Sequence, residues 1–114
     1  MPVVAAYDVR YYVGEYPTDS LSIRIVDYAG EPYTLMAYDS ALLYTDPALP
    51  DGVTTIFDVD NAIVRHTWSG PFETVGRFMA QVHLIDGPYI DYAPPMAIEV
   101  VAPNTPNPYW STDR

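Results

Sequence analysis

Hydrophobic residues occupy every second position through Phe78, Ala80, Val82 and Leu84, while Arg77, Gln81 and His83 stand between them. A period of two is that of a strand with one buried face, whereas a helix would scatter the same apolar residues around its circumference. Gly76 opens the run and Asp86-Gly87-Pro88 closes it with turn chemistry. A strand of about ten residues is long, which predicts a central one with partners on both edges and a second layer over its apolar face.

The same pattern repeats more weakly on both sides. Residues 3–13 are apolar and tyrosine-rich and end at Gly14 and Pro17, as a first strand or an extended arm laid on a neighbour would. Across residues 20–27, Leu21, Ile23 and Ile25 alternate with Ser22 and Arg24, which predicts a strand with one wet face. Asp27-Tyr28-Ala29-Gly30-Glu31-Pro32 then makes a turn. Residues 33–44 hold no glycine or proline and admit a short helix, but Asp39-Ser40 interrupts them and the flanking segments are strands. Two short strands or one bent strand are expected there. A loop over residues 45–52 precedes a strand pair over 53–59 and 62–68, joined near Asp58-Val59-Asp60-Asn61, whose second member sets Ala62, Val64, His66 and Trp68 on one face. Residues 90–101 supply the last strand, and Pro94-Pro95 forces it to bulge or to begin after Pro95. About seven short strands with turns about every 8–12 residues and no convincing helix predict an all-β chain folded as an antiparallel β-sandwich.

This pattern divides the chain into an N-terminal strand or arm (1–15), a sandwich (16–102) and an extended proline-rich C-terminal tail (103–114). The 114 residues suit one domain with a core that needs no covalent staple, and there is no cysteine to form one. No apolar run approaches the ~18–20 residues of a membrane span, and the first residues have neither the basic region nor the length of a signal peptide. A chain synthesised in a cytoplasm and making no membrane contact is expected. Fifteen acidic residues against five arginines and no lysine give a formal charge of −10, and a surface of that sign repels nucleic acid phosphates. Eleven tyrosines and twelve prolines favour strands, turns and protein interfaces.

Catalytic chemistry finds little support, because no nucleophile motif accompanies His66 or His83 and nothing marks one carboxylate pair among many. No cofactor is expected. Asp58 and Asp60 have the spacing of a partial calcium loop without the glycine continuation or distal glutamate, so acidic residues capping a hairpin are the expected reading. Trp68, near Ser69-Gly70-Pro71 and Phe72, is expected as a plug at the mouth of the sandwich. The alternative makes Trp68, with Tyr89 and Tyr92, a stacking platform for a carbohydrate or host receptor. Tyr7, Tyr11 and Tyr12 near one end, and Tyr109 and Trp110 near the other, are candidate protein-interface anchors, because these residue types dominate interface energetics.

The order of features also resembles a known family. Ser20-Leu21-Ser22-Ile23-Arg24-Ile25-Val26-Asp27 runs into the hairpin Ala29-Gly30-Glu31-Pro32-Tyr33-Thr34-Leu35; a strand then enters Trp68; Thr74-Val75-Gly76-Arg77-Phe78 sets a glycine before the aromatic that opens a long strand; and Asp86-Gly87 precedes the last hairpin. Over roughly residues 16–101 this is similar to the immunoglobulin-like N-terminal domain of bacteriophage baseplate upper proteins, and to small domains of phage tail and head accessory proteins. The resemblance implies an immunoglobulin-like sandwich without catalytic residues. It implies a structural protein located in the virion, held by other virion proteins in a homo- or hetero-oligomeric assembly.

Overall fold

The computed structural model describes residues 9–27 and 29–103, together with the backbone of residues 3–4. Among them there is no helix, and the strands are β1 (Val3–Val4), β2 (Val9–Tyr12), β3 (Leu21–Val26), β4 (Ser40–Asp46), β5 (Gly52–Asp58), β6 (Ile63–Trp68), β7 (Gly76–Asp86), β8 (Tyr89–Tyr92) and β9 (Met96–Val101). They form two sheets, one ordered β1-β3-β6-β5 and the other β2-β9-β7-β4, with β8 added to β7. The two sheets pack face to face as a β-sandwich, with β2 at the edge of the second sheet beside β9.

Strand β7 is central, as its alternation predicts. From Met79 to Ile85 it pairs antiparallel with β4 on one side, and its other side is divided between β9 over Gly76–Ala80 and β8 over His83–Asp86. Ala93, Pro94 and Pro95 separate those two partners, because proline has no N–H to give the ladder. The break is mended locally. The Ala93 N–H donates to the Val82 carbonyl, and the Gln81 side-chain amide donates to the Ala93 carbonyl at 2.9 Å. Gln81, on the polar side of its strand by pattern, therefore acts as part of the sheet.

The inward side chains of β7, Phe78, Ala80, Val82 and Leu84, are all buried in one core with Ile23, Ile25, Val64 and Trp68. The turn at Asp27 forms as its sequence predicts, with one carboxylate oxygen of Asp27 accepting the N–H groups of Ala29 and Glu31 and Gly30 at a φ of 81°. The β5–β6 hairpin also forms at the expected place.

Three features depart from expectation. First, residues 33–39 are loop, and the strand expected over 33–44 begins only at Ser40 and continues to Asp46. Asp39-Ser40 marks the start of β4, and Leu35 is buried as a plug, its N–H donating to the Val59 carbonyl at 3.1 Å. Second, the sandwich is not wholly antiparallel, because β2 runs parallel to β9. Third, residues 9–13 are part of the sandwich: Val9 is in the core and Tyr11 packs against it. The boundary expected at residue 15 does not separate an arm from the body. The tail expected over residues 103–114 lies, beyond Pro103, outside the described residues.

His66 is the buried polar residue of this core among the described residues. Its Nδ1 is 2.7 Å from the Thr54 hydroxyl, whose oxygen accepts the Leu43 N–H at 3.1 Å from the opposite sheet. With its oxygen accepting from Leu43, the Thr54 hydroxyl donates to Nδ1, which leaves the proton of a neutral ring on Nε2. The fit is close enough that a Cβ on Gly52 would overlap the His66 ring and the Thr67 carbonyl.

Phe78→Ala is expected to cost about 3–5 kcal/mol, a large part of a typical domain stability of about 5–15 kcal/mol, whereas Met79→Ala on the opposite face should cost less than about 0.5. Denaturant unfolding of the two variants checks this. Burial also holds the His66 pKa below its ordinary 6.5, so the unfolded chain takes up a proton there more readily than the folded one. The contribution of His66 to stability is then complete above pH 6.5 and is lost as pH falls from 6.5 through the lower folded value. Melting between pH 7.5 and about 5.5, above the carboxylate range, should show a steeper loss in the wild type than in His66→Gln.

Candidate functional site

A strand that buries one face must present the other, and what β7 presents is mixed, with Met79 and Ile85 beside Arg77, Gln81 and His83. His83 and Ile85 point outward beside Leu42 and Tyr44 of β4 on one side and Ile90 and Tyr92 of β8 on the other, while Met79 points outward between Asp46 of β4 and Ala97 of β9. Leu42 is 49 % exposed, Tyr44 46 %, Ile90 50 % and Tyr92 54 %. Their spacing follows from the registers Leu42↔His83↔Tyr92 and Ser40↔Ile85↔Ile90, which align side chains in rows across three strands. His83 stacks on Tyr44 with centroids 5.6 Å apart and meets Tyr92 edge-on at 4.6 Å. The three rings thus form a ridge, and burial among them holds the His83 pKa below its ordinary value.

The two ends of the sheet differ in charge, and at the β7–β8 turn Asp91 stands opposite Leu84 and Asp86 opposite Tyr89, on the parity of the buried face. Near the β7–β8 turn stand Asp39, Asp86 and Asp91. The Gly87 N–H donates to Asp39 at 3.0 Å and the Tyr38 hydroxyl donates to Asp91 at 2.7 Å, which ties the loop before β4 to the β7–β8 hairpin. Burial first, and then that bond to the carboxylate, push the Tyr38 phenol well above its ordinary range. At the other end Arg10 pairs with Glu99 at 2.7 Å, next to Arg77 across the ladder.

The residues singled out in the sequence scatter around this face. Tyr92 is exposed on the outer face at 54 %, whereas Tyr89, opposite Asp86 beside the β7–β8 turn and of the other parity, is exposed at 73 % away from it. Trp68 does not join them: at 2 % exposure it is the expected core plug, and an exposed platform is ruled out for it. It lies at the end of the sandwich where β7 begins, while Tyr89 lies where β7 ends. Tyr11 is likewise turned inward, stacked on Phe72 at 4.4 Å, with its hydroxyl accepting the Trp68 indole N–H at 3.2 Å. That packing removes Tyr11 as an interface anchor. Tyr12 is half-buried in β2 beside β9, while Tyr7, Tyr109 and Trp110 lie outside the described residues.

Asp58 behaves as a turn cap. One of its oxygens accepts the Asn61 backbone N–H at 3.1 Å and the other the Asn61 side-chain amide at 2.8 Å. The Asn61 bonds, side chain first, hold its pKa below the ordinary carboxylate value. Asp60 sits exposed in the same turn, and among the described residues no group of three or more His, Cys, Asp or Glu is placed to hold a metal ion. A cleft of about 310 Å³ between the loops at residues 48–50 and 70–74 has Glu73 as its one ionisable lining group.

The outer face itself was not apparent from the sequence, although a signal was present. Ala41-Leu42-Leu43-Tyr44 is apolar at both parities, and Met79 and Ile85 put two large apolar groups on the side of β7 that also carries Arg77, Gln81 and His83. A strand apolar on both faces is either buried on both or exposes a patch. No protein-family model matches the chain, and no curated protein matches it either.

Because both Asp58 oxygens are engaged by Asn61, the melting temperature is expected to be the same in calcium and in chelator. A rise of several degrees with calcium, as linkage would give for a filled site, would overturn the capping role of Asp58.

Proposed function

We propose that the chain is a non-enzymatic structural protein of a bacteriophage particle, a small immunoglobulin-like module that docks on the tail, baseplate or head through protein contacts. The observation that supports docking is the outer face of β4, β7 and β8, where Leu42, Tyr44, Ile90 and Tyr92 expose a contiguous apolar, tyrosine-rich surface on a strongly acidic chain. Isolated exposed apolar side chains need no explanation, but a contiguous set aligned across three strands marks an interaction site. Tyrosine and methionine are also enriched in the cores of protein interfaces. The placement in a virion rests on the family resemblance of the hairpins and the long strand.

Binding of a carbohydrate or host receptor is the second reading, favoured by the exposure of Tyr89 and Tyr92. It loses its central ring with Trp68 in the core. It is further weakened because Tyr44 and His83 cover each other's faces, and a sugar stacks on an open ring face.

Mass spectrometry of purified particles is expected to find the chain as a structural component. Leu42→Ser/Tyr92→Ser is expected to stay folded and to be missing from those particles. Absence of the wild-type chain from particles would remove the proposed function, and normal incorporation of the double variant would move the docking surface elsewhere. Binding on a glycan array that depends on Tyr89 would favour the second reading.

A further inference from the structure

We infer that the outer face of β3, β6 and β5 receives the β7–β8 turn of a second copy of this chain, so that copies join head to tail. Leu21, Ile23 and Ile25 of β3 and Val64, His66 and Trp68 of β6 are buried, so Arg24 and Arg65 point away from the core. Arg24 stands opposite Ile63 and Arg65 opposite Ser22, which makes the two arginines diagonal neighbours on adjacent strands. Among the described residues neither forms an ion pair, although acidic residues outnumber arginines fifteen to five. The Arg65 guanidinium carbon lies 3.4 Å from the centroid of the Phe57 ring, and its Nε is buried without a hydrogen-bond partner. Phe57 and Val53 are 53 % and 62 % exposed. Asp58 is the one acidic outward residue of β3, β5 and β6, and both of its oxygens are engaged by Asn61. A face with exposed apolar groups and two unpaired guanidiniums is complemented by carboxylates set beside an aromatic ring.

The chain itself carries that complement. Extending the β4–β7 register one pair past Ser40↔Ile85 sets Asp39 opposite Asp86, and Asp86 is opposite Tyr89; Asp91 follows in the next row on the same side, opposite Leu84. All three carboxylates are exposed, the Tyr89 ring is 73 % exposed, and residues 33–46 and 79–103 contain no lysine or arginine to balance them. One oxygen of Asp39 accepts the Gly87 N–H and one of Asp91 the Tyr38 hydroxyl, which fixes both carboxylates and leaves each a second oxygen. A guanidinium can stack on the open phenol ring while its N–H fork bonds a neighbouring carboxylate. Total charge opposes association, since each copy carries −10, but at physiological salt charges more than about 8 Å apart are largely screened, so the surfaces in contact decide. A two-fold contact through the arginine face would set Arg24 and Arg65 of one copy against those of the other. The contact is therefore heterologous and repeats from copy to copy, as a ring or a filament. It uses neither Leu42, Tyr44 nor Tyr92, so the docking proposed above stays open to an assembled chain.

The test is sedimentation of the full chain at about 0.15 M salt, from micromolar to millimolar concentration. The wild type is expected to associate past the dimer as concentration rises. Arg24→Gln/Arg65→Gln and Asp86→Asn/Tyr89→Ser, each checked for an unchanged fold by its amide spectrum, are expected to stay monomeric over that range. An equimolar mixture of the two is expected to stop at dimers, because each variant keeps one of the two surfaces. If Arg65→Gln does not fold without its stack on Phe57, Arg24→Gln alone takes its place, with association weakened several-fold. Asp86→Asn/Tyr89→Ser also lowers the total negative charge, so its loss of association separates a local contact from general repulsion. Leu42→Ser/Tyr92→Ser is expected to associate as the wild type does. The inference is overturned by a wild-type chain that remains monomeric, by either charge variant associating like the wild type, or by a mixture that stays monomeric or grows past dimers. Association abolished by Leu42→Ser/Tyr92→Ser overturns it as well. Particle incorporation is read separately: a monomeric chain found in particles sinks this inference alone, and a chain that assembles in solution but is absent from particles sinks the proposed function alone.

Discussion

Burial of Phe78, Ala80, Val82 and Leu84 against Ile23, Ile25, Val64 and Trp68 is the interaction on which the other features depend. Each of the larger of these side chains contributes about 1.5–3 kcal/mol on leaving water, so even a few of them match the net stability of a typical domain. Because side chains alternate strictly along a strand, this burial also decides what faces solvent: a slip of one residue would bury Arg77 and expose Phe78. The outward direction of Met79, His83 and Ile85 is thus a consequence of the core. The surface we assign to docking is built on the most strongly determined element of the fold.

Much of this architecture could be read from local pattern. Strand β7, strand β3 and the β5–β6 hairpin each combine a clean period of two with turn chemistry at a boundary, and Pro94-Pro95 announces the break between β8 and β9 by withholding donors. What could not be read depends on distant partners. Nothing near Val9 says that β2 will lie parallel to β9, because that choice depends on where the far end of the chain comes to rest. Leu35 resembles a strand residue in sequence but is buried from a loop, held by Val59 across the fold. Of the candidate site residues, Trp68 was expected as a plug and is one. Tyr11 shows the limit of composition: a tyrosine in an N-terminal segment fits an interface equally well until Trp68 and Phe72 are seen to enclose it. The outer face is not legible from local pattern because Asp39-Ser40 reads as an interruption within a strand. With β4 starting at Ser40, Leu42 and Tyr44 fall into line with His83 and Tyr92.

The two faces of the β2-β9-β7-β4 sheet thus divide the work of the molecule. The inner face holds the sandwich together, with Thr54 and His66 joining the two sheets through the Leu43 N–H. The outer face offers an apolar ridge, stiffened by ring contacts and by the Tyr38–Asp91 and Gly87–Asp39 bonds at one end. Rings already ordered by their neighbours lose little freedom on docking, which favours affinity. The central claim, that this outer face is the docking surface, is tested most directly by a density map of the assembled particle in which the module can be placed. The account predicts the outer face of β4, β7 and β8 pressed against a neighbouring protein, with the β1-β3-β6-β5 sheet turned away. A module seated through the β1-β3-β6-β5 sheet, with Tyr44, His83 and Tyr92 facing solvent, would contradict it.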